Sequence, residues 1–456
     1  MKTHTQGRLI LTLVFITSFL NTFLISSVNV ALPIIAKELD LNAVETSLII
    51  TTYLLSTAIL LLPAGRFADL IGLGFLFKLG ILIFTVASLG CYFVHNYSTL
   101  LIFRFLQGIG AAFTSTTGPA LLTLHFPAKH RGRVLGYSVS AVYVGLGTGP
   151  FIGGYLTDFF GWKSLFLVVS IVGFVLSLFG LKIKFETSPT IGKLKGMSYQ
   201  GSLVYVFGLS MLVIGSAYIP QNWAFALTII GTALLILFWH VEKRAKTPIL
   251  EVNLFKTNRL FSYSNLAALI NYSATYALVF LMSLFLQKIQ FLTPRKTGVI
   301  LMTQPIVMAL FSPIMGRISD HVQPRILTTL GMAICSIGLF LFASLTTESS
   351  QLHIILLLAW MGIGFALFSS PNMNTIMGSV EKSKYGVASG TAATMRVFGQ
   401  VLSMTMASLS FAFFLGNQTM EKIEPAQFHQ TYSLTLSLFG ILSLAGIYFS
   451  YARGNR

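Results

Sequence analysis

The sequence predicts an all-α polytopic membrane protein: two six-helix bundles with a two-helix hairpin inserted between them, fourteen transmembrane helices in all. Three observations lead there. Of the 456 residues, 54% are hydrophobic and only 9% charged, too few to coat a soluble surface. Apolar runs of about 20 residues, the length that crosses a hydrocarbon core about 30 Å thick, recur along the chain. A pentapeptide recurs as well: Gly65-Arg66-Phe67-Ala68-Asp69 follows Pro63, and Gly316-Arg317-Ile318-Ser319-Asp320 follows Pro313. Each closes a membrane-length run and reads as a short polar hinge. Gly and Asp are ordinary turn residues, but one motif at the same point of two similar halves indicates a duplicated unit.

The first span covers residues 9–32, too long for the apolar region of a signal peptide. Asn21, Ser26, Ser27 and Asn29 interrupt it, so one face is expected to meet protein or water rather than lipid. A net-acidic connection with Lys37, Glu38, Asp40 and Glu45 follows. Spans two to six are expected near 45–64, 73–94, 100–122, 134–156 and 163–181. The runs 199–219 and 223–241, joined by Pro220-Gln221-Asn222, make the inserted hairpin. Further spans are expected near 260–286, 297–313, 326–345, 352–370, 386–415 and 431–451. The domains are therefore 1–184 (first bundle), 185–256 (linkers with the hairpin, about 199–241) and 257–456 (second bundle).

A net charge of +17 invites a nucleic-acid partner, but its placement argues against one. Of the 30 lysines and arginines, 22 fall on the side of the N-terminus and six on the other, while Arg104 and Arg396 fall within spans. That is the positive-inside bias, and it places both termini and the linkers 182–198 and 242–259 in the cytoplasm. Lys288, Arg295 and Lys296 run against the pattern. No basic stretch interleaved with aromatics stands apart as a nucleic-acid-binding domain. Cys91 and Cys335 lie inside spans and read as small buried residues rather than a disulfide framework.

The fifth span holds the most specific signal, Gly145-x3-Gly149-Pro150-x2-Gly153-Gly154. Glycines at i, i+4 and i+8 share one helix face and let a neighbouring backbone approach closely, and Pro150 removes a hydrogen bond and permits a bend. With Gly147, five glycines and a proline fall within ten residues, which points to a hinge or seal beyond ordinary packing.

On these residues the chain resembles the major facilitator superfamily, in its fourteen-span branch of drug:proton antiporters. The fifth span is similar to that branch's antiporter motif, G-x3-G-P-x2-G-G. The stretch 65–78 resembles the loop 2–3 motif, G-x-L-A-D-R-x-G-R-K; it keeps Gly65, Ala68, Asp69 and Gly72 but has Leu70, Leu73 and Gly74 where the family prefers Arg, Arg and Lys. Leu101-x2-Arg104-x2-Gln107-Gly108-x-Gly110-Ala111-Ala112 resembles the helix 4 motif, and Pro248-Ile249-Leu250 with Leu254-Phe255 is typical of the segment before the seventh span. The resemblance covers essentially the whole chain. It implies gating roles for Gly65, Asp69, Gly72, Gly145, Gly149, Pro150, Gly153, Gly154, Gly316 and Asp320, and a coupling role for Arg104 and Gln107. One departure stands out. Related exporters often carry an Asp in the first span, where this chain reads Phe23-Leu24-Ile25-Ser26-Ser27. All 13 acidic residues fall in loops or at helix ends. Proton coupling is thus implied by the resemblance alone, with the rim carboxylates Glu45 and Asp158 as the candidates to titrate.

Arg396 lies ten residues after Gly386, about 15 Å along a helix at about 1.5 Å per residue. A charge at that depth needs a cavity or a partner; the alternative is an anchor for backbone carbonyls of a neighbouring helix. Arg104, only a turn or so inside its span, is expected to snorkel outward. Polar and aromatic residues outline a mostly apolar cavity: Asn21 and Asn29, Asn265, Asn271, Tyr272 and Tyr276, Gln304, Trp360 with Asn372 and Asn374, and Gln400 one turn from Arg396.

The function expected is secondary export of small lipophilic or amphipathic compounds by alternating access, drug efflux at the cell membrane by a monomer coupled to protons. A lipid or metabolite carrier of the same fold is the alternative, which the missing acids favour. No G-x4-G-K-[ST] motif argues for ATP coupling, and no H-E-x2-H or similar cluster argues for an enzyme. No cofactor or metal is expected.

Overall fold

The computed structural model describes residues 2–126, 128–183, 199–219, 221–245, 248–250, 252–319, 321–381, 385–416 and 418–454. Among them it contains helices and no strand. The first group comprises α1 (Lys2–Glu38), α2 (Ala43–Ile71), α3 (Leu73–Tyr92), α4 (Tyr97–His125), α5 (Ala128–Phe160) and α6 (Lys163–Lys182). A hairpin follows, α7 (Tyr199–Ala217) and α8 (Asn222–Arg244), and then the short α9 (Val252–Thr257). The second group is α10 (Arg259–Thr275), α11 (Ala277–Lys288), α12 (Pro294–Leu301), α13 (Thr303–Ile318), α14 (Pro324–Ala343), α15 (Gln351–Gly378), α16 (Tyr385–Phe414) and α17 (Pro425–Ala452).

Twelve described segments are long and apolar enough to cross a membrane, with α10–α11 and α12–α13 each counting as one. The hairpin helices are among the twelve, whereas α4 and α5 are not. At 29 and 33 residues these two are long enough, but glycines, hydroxyls and bases dilute their apolar content. Such residues serve close packing between helices, not contact with lipid. The fourteen-span expectation is not reached by that measure.

Several boundaries differ from the sequence reading. Gly65 to Asp69 is not a hinge between helices: α2 runs on to Ile71, and the chain breaks at Gly72, whose φ of 94° only glycine adopts cheaply. Gly316 likewise lies within α13, which ends at Ile318. The expected seventh span is interrupted at Tyr276 and the eighth at Met302.

Equivalent close approaches recur in the two groups. A Cβ at Gly110 would fall 2.6 Å from Gly80 O, bringing α3 against α4; one at Gly331 would fall 2.7 Å from Gly364 O, bringing α14 against α15. Gly65 of α2 faces Thr116 of α4, and Gly316 of α13 faces Ser370 of α15. The repeated motif therefore occupies matching helix pairs. The hairpin lies outside both groups. Its α7 packs on α2 and α16, and Tyr205 Oη donates to Ala58 O at 3.1 Å, a carbonyl on the lipid-length stretch of α2.

Candidate functional site

Helix α1 begins, and α17 ends, at one end of the bundle, called proximal here; the distal end is where Lys37 of α1 meets Glu421 ahead of α17, 3.2 Å apart. Beyond that ion pair, the two groups close on each other distally through neutral contacts. Pro33 has no N–H, so the Asn29 carbonyl four residues earlier lacks its helical partner. Ser283 of α11 supplies one, Oγ to Asn29 O at 2.6 Å, and Gln287 Nε2 donates to Val30 O at 2.8 Å. The hydroxyls of Ser47 on α2 and Ser408 on α16 meet at 2.5 Å, and Met420 N donates to Leu41 O at 2.8 Å. On the other flank, α5 meets α12 backbone to backbone. A Cβ on Gly154 would stand 2.5 Å from Pro294 O, and one on Gly298 would run into Pro150 O.

The glycine row of α5 divides its work in a way the sequence reading did not foresee. Gly145, Gly149 and Gly153 do share a face, but it packs inside the first group: Cβ atoms at Gly149 and Gly153 would lie 2.7 and 2.6 Å from the Cβ of Ser26 and Ser27 on α1. Gly147, off that face, meets Pro305 of α13 at 3.6 Å. The contact between groups is therefore made by Gly147, Pro150, Gly154 and Gly298. Pro150 also leaves the Leu146 carbonyl without its helical donor, and Ser26 Oγ fills that place at 3.0 Å while Ser27 Oγ donates to Gly149 O at 2.9 Å. The acid-free stretch of the first span thus has a structural task.

Arg104 does not snorkel. Helix α4 starts at Tyr97, which puts Arg104 about two turns inside, and its side chain is 0% exposed. Its Nε donates to Ile49 O at 3.1 Å and Nη1 to Gln107 Oε1 at 2.8 Å; Gln107 Nε2 in turn donates to Ser88 Oγ at 2.9 Å. The guanidinium stacks over Tyr53, 4.6 Å from the ring centroid. Its Nη2 has no partner, and Tyr276, whose Oη is also buried without a partner, lies within electrostatic range.

Arg396 differs in kind. It is half-buried on α16 and makes no hydrogen bond or ion pair to a described residue, so it is no carbonyl anchor. It lies within electrostatic range of Tyr272, as does Tyr143 of α5. Tyr272 itself sits between Phe365, 6.3 Å away between ring centroids, and the backbone at Gly399. Gln400 is half-buried one turn from Arg396. Among the described residues every carboxylate lies in a connection or in the first or last turn of a helix.

The remaining cavity candidates separate. Asn271 is fully buried with neither amide atom bonded, and Gln304 Oε1 is likewise unpartnered. Asn21 donates to Thr114 Oγ1 at 3.0 Å and Asn29 to Ile25 O at 3.2 Å, each leaving its amide oxygen free. Two candidates are displaced. Trp360 is 40% exposed on the periphery, where it donates to Ile334 O at 2.9 Å. Asn372 donates to Ser264 O at 3.1 Å and accepts from Arg453 Nη1 at 2.8 Å, so it belongs to an anchor at the proximal end. Arg453 follows α17 directly. It is 2% exposed, bonded also to Thr328 Oγ1 at 2.6 Å, and burial together with neighbouring Arg325 pulls its guanidinium down to about 10. Glu45 forms a capping box with Asn42 at the start of α2, and Asp158 is exposed in the last turn of α5. Asp320 and the Asp69 side chain lie outside the described residues.

With this geometry in view, the chain was compared with known proteins. It is 29% identical to the riboflavin transporter RibZ of Clostridioides difficile over 408 residues, 89% of each chain. It is also 29% identical to the multidrug transporter protein MdtP of Bacillus subtilis over 441 residues, 93% of this chain and 80% of that one. Among solved structures, a D-xylose-proton symporter superposes with a TM-score of 0.69 at 12% identity, over 97% of this chain and 96% of the other. A bacterial homologue of the lysosomal transporter Spinster gives 0.69 at 16%, over 98% and 97%. The profile of the Major Facilitator Superfamily matches residues 14–404, and the chain, a multi-pass transporter of small molecules, belongs to that family.

Proposed function

We propose that the chain is a secondary exporter of small lipophilic or amphipathic compounds, working by alternating access between the two six-helix groups. The observation that carries the reading is the distal closure. Ser283 to Asn29, Ser47 to Ser408 and Gly154 to Pro294 join the groups on one side of the midplane, and Arg396 and Tyr272 lie on the proximal side of those contacts. A closed gate at one end with an unpaired polar centre beyond it is what a rocking mechanism needs. The multidrug transporter MdtP and the methylenomycin A resistance protein of Bacillus subtilis, 27% identical over 86% of this chain, lend support to efflux. On this reading the hairpin adds two spans to twelve, the protein sits in the cell membrane as a monomer, and the proximal end with both termini is cytoplasmic. Protons drive export through rim carboxylates such as Glu45 and Asp158. Dye uptake into inverted vesicles, with and without a pH gradient, tests this; uptake indifferent to the gradient removes the coupling, and no uptake of any dye removes efflux.

A second reading is a metabolite or lipid carrier with weak or no proton coupling. The similarity to a riboflavin transporter and the carboxylate-free helix interiors favour it. Riboflavin movement in the same vesicles, independent of the gradient, would select it.

A further inference from the structure

Among the described residues, Arg104 and Arg396 stand well inside spans, and they are not equivalent. Arg104 is committed to Ile49, Gln107 and Tyr53. Arg396 is bonded to no described residue and is half-buried, and it lies within electrostatic range of Tyr272, as does Tyr143 of the other group. Three positions fix that place. Gly399, one turn along α16, abuts Leu269 O and the Tyr272 side chain on α10. Gly147 of α5 faces Pro305 of α13, and Tyr143, four residues earlier on the same face of α5, continues that approach one turn toward the proximal end. Distal to all of these come the Gly154–Pro294 and Ser47–Ser408 contacts. A fixed cation thus stands near Tyr272 on the proximal side of the seal, and Tyr143 of the other group lies within electrostatic range of the same ring.

An unpaired charge at this depth costs several kcal/mol unless something bonds to it. Water bonds to it when the cleft is open, and a ligand does so when it is occupied. Among the described residues no carboxylate is placed to neutralise it. We propose that Arg396, with Tyr272 on its own helix group and Tyr143 on the facing one, is the recognition point for the anionic group of a flat aromatic substrate, a carboxylate or a group of like geometry. The guanidinium fork receives two oxygens in its plane, and the rings receive the aromatic body. This deepens the transport reading and rests on it in placing the ligand between the helix groups.

Equilibrium binding tests it without transport, so its failure is separable from failure of export. The protein is placed in phosphatidylcholine nanodiscs and titrated with pyrene carboxylate, pyrene carboxamide and pyrenemethylammonium, with empty nanodiscs as blank. Wild type should hold the carboxylate about tenfold tighter than the amide, and the ammonium weakest. Arg396→Gln should remove that preference while leaving the amide within about twofold, and Arg396→Lys should keep part of it. Equal affinity for all three in wild type, or a preference for the ammonium, overturns the proposal, and it does so even where the Gln variant fails to fold. Full displacement of the carboxylate by phosphatidylglycerol added to the discs overturns it too, since the site would then hold a lipid headgroup.

Discussion

The Ser283 hydroxyl reaches from one helix group to the other and bonds to the Asn29 carbonyl that Pro33 leaves without a helical donor. A proline inside a span would otherwise weaken α1. Here it exposes an acceptor at the boundary between the two helix groups, and under alternating access the acceptor is satisfied only while the distal end is shut. Opening that end must hand the carbonyl to water.

Ser283→Ala should therefore favour the distally open state. A neutral hydrogen bond contributes about 1 kcal/mol net, which corresponds to roughly fivefold in the ratio of the two states. Spin labels at Lys37→Cys and Glu421→Cys, read by double electron–electron resonance, should show the longer-distance population grow by that factor. The native Cys91 and Cys335 are both buried and should not take label. An unchanged distance distribution would mean that the bond is incidental.

The pair Ser26 and Pro150 should be coupled. Alone, Ser26→Ala leaves the Leu146 carbonyl bare and should cost about 1–2 kcal/mol. With Pro150→Ala the backbone N–H of residue 150 can bond to Leu146 O itself, so the loss of the hydroxyl should then matter little. Thermal unfolding of the two single variants and the double variant closes the cycle; additive losses would refute the coupling.

The glycines of α5 should fall into two classes. Gly149→Leu and Gly153→Leu push against α1 inside one group and should lower stability. Gly154→Leu and Gly298→Leu push the two groups apart and should abolish transport with smaller loss of melting temperature, because only the closed gate is denied. Melting and transport measured on all four variants distinguish this from general overpacking, in which the two readouts would fall together.

Arg104→Lys should be far from conservative. An ammonium cannot donate to Ile49 O and Gln107 Oε1 in one plane while stacking over Tyr53. A loss of about 3 kcal/mol or more is expected for breaking a buried network of this kind. Wild-type stability in Arg104→Lys would point instead to a coupling role that needs only the charge.

The all-helical membrane fold was legible because apolar runs are local properties of the chain. Packing partners were not. The glycine face of α5 could be read as a face, but nothing in 145–154 says that α1 lies on it and α12 on the other side. Arg104 looked shallow because its span seemed to start at residue 100, whereas Asn96 caps the helix a turn earlier. Trp360 and Asn372 were chosen for chemistry alone, and helix rotation turned one outward and gave the other to Arg453. Ser283 and Tyr143 were passed over entirely. A span proline marks the carbonyl four residues before it as needing a donor, which would have drawn attention to Asn29 and Leu146, though not to the residues that serve them.

The seat of α7 on both α2 and α16 has a consequence for how a membrane-dissolved compound gets in. The helix groups meet along two seams, one between α2 and α16, the other between α5 and α12–α13. The first is roofed by the hairpin and pinned by Tyr205, so acyl chains and their solutes are fenced off from it. On the export reading, lateral entry is left to the second seam, which gives the protein a front and a back within the plane of the bilayer.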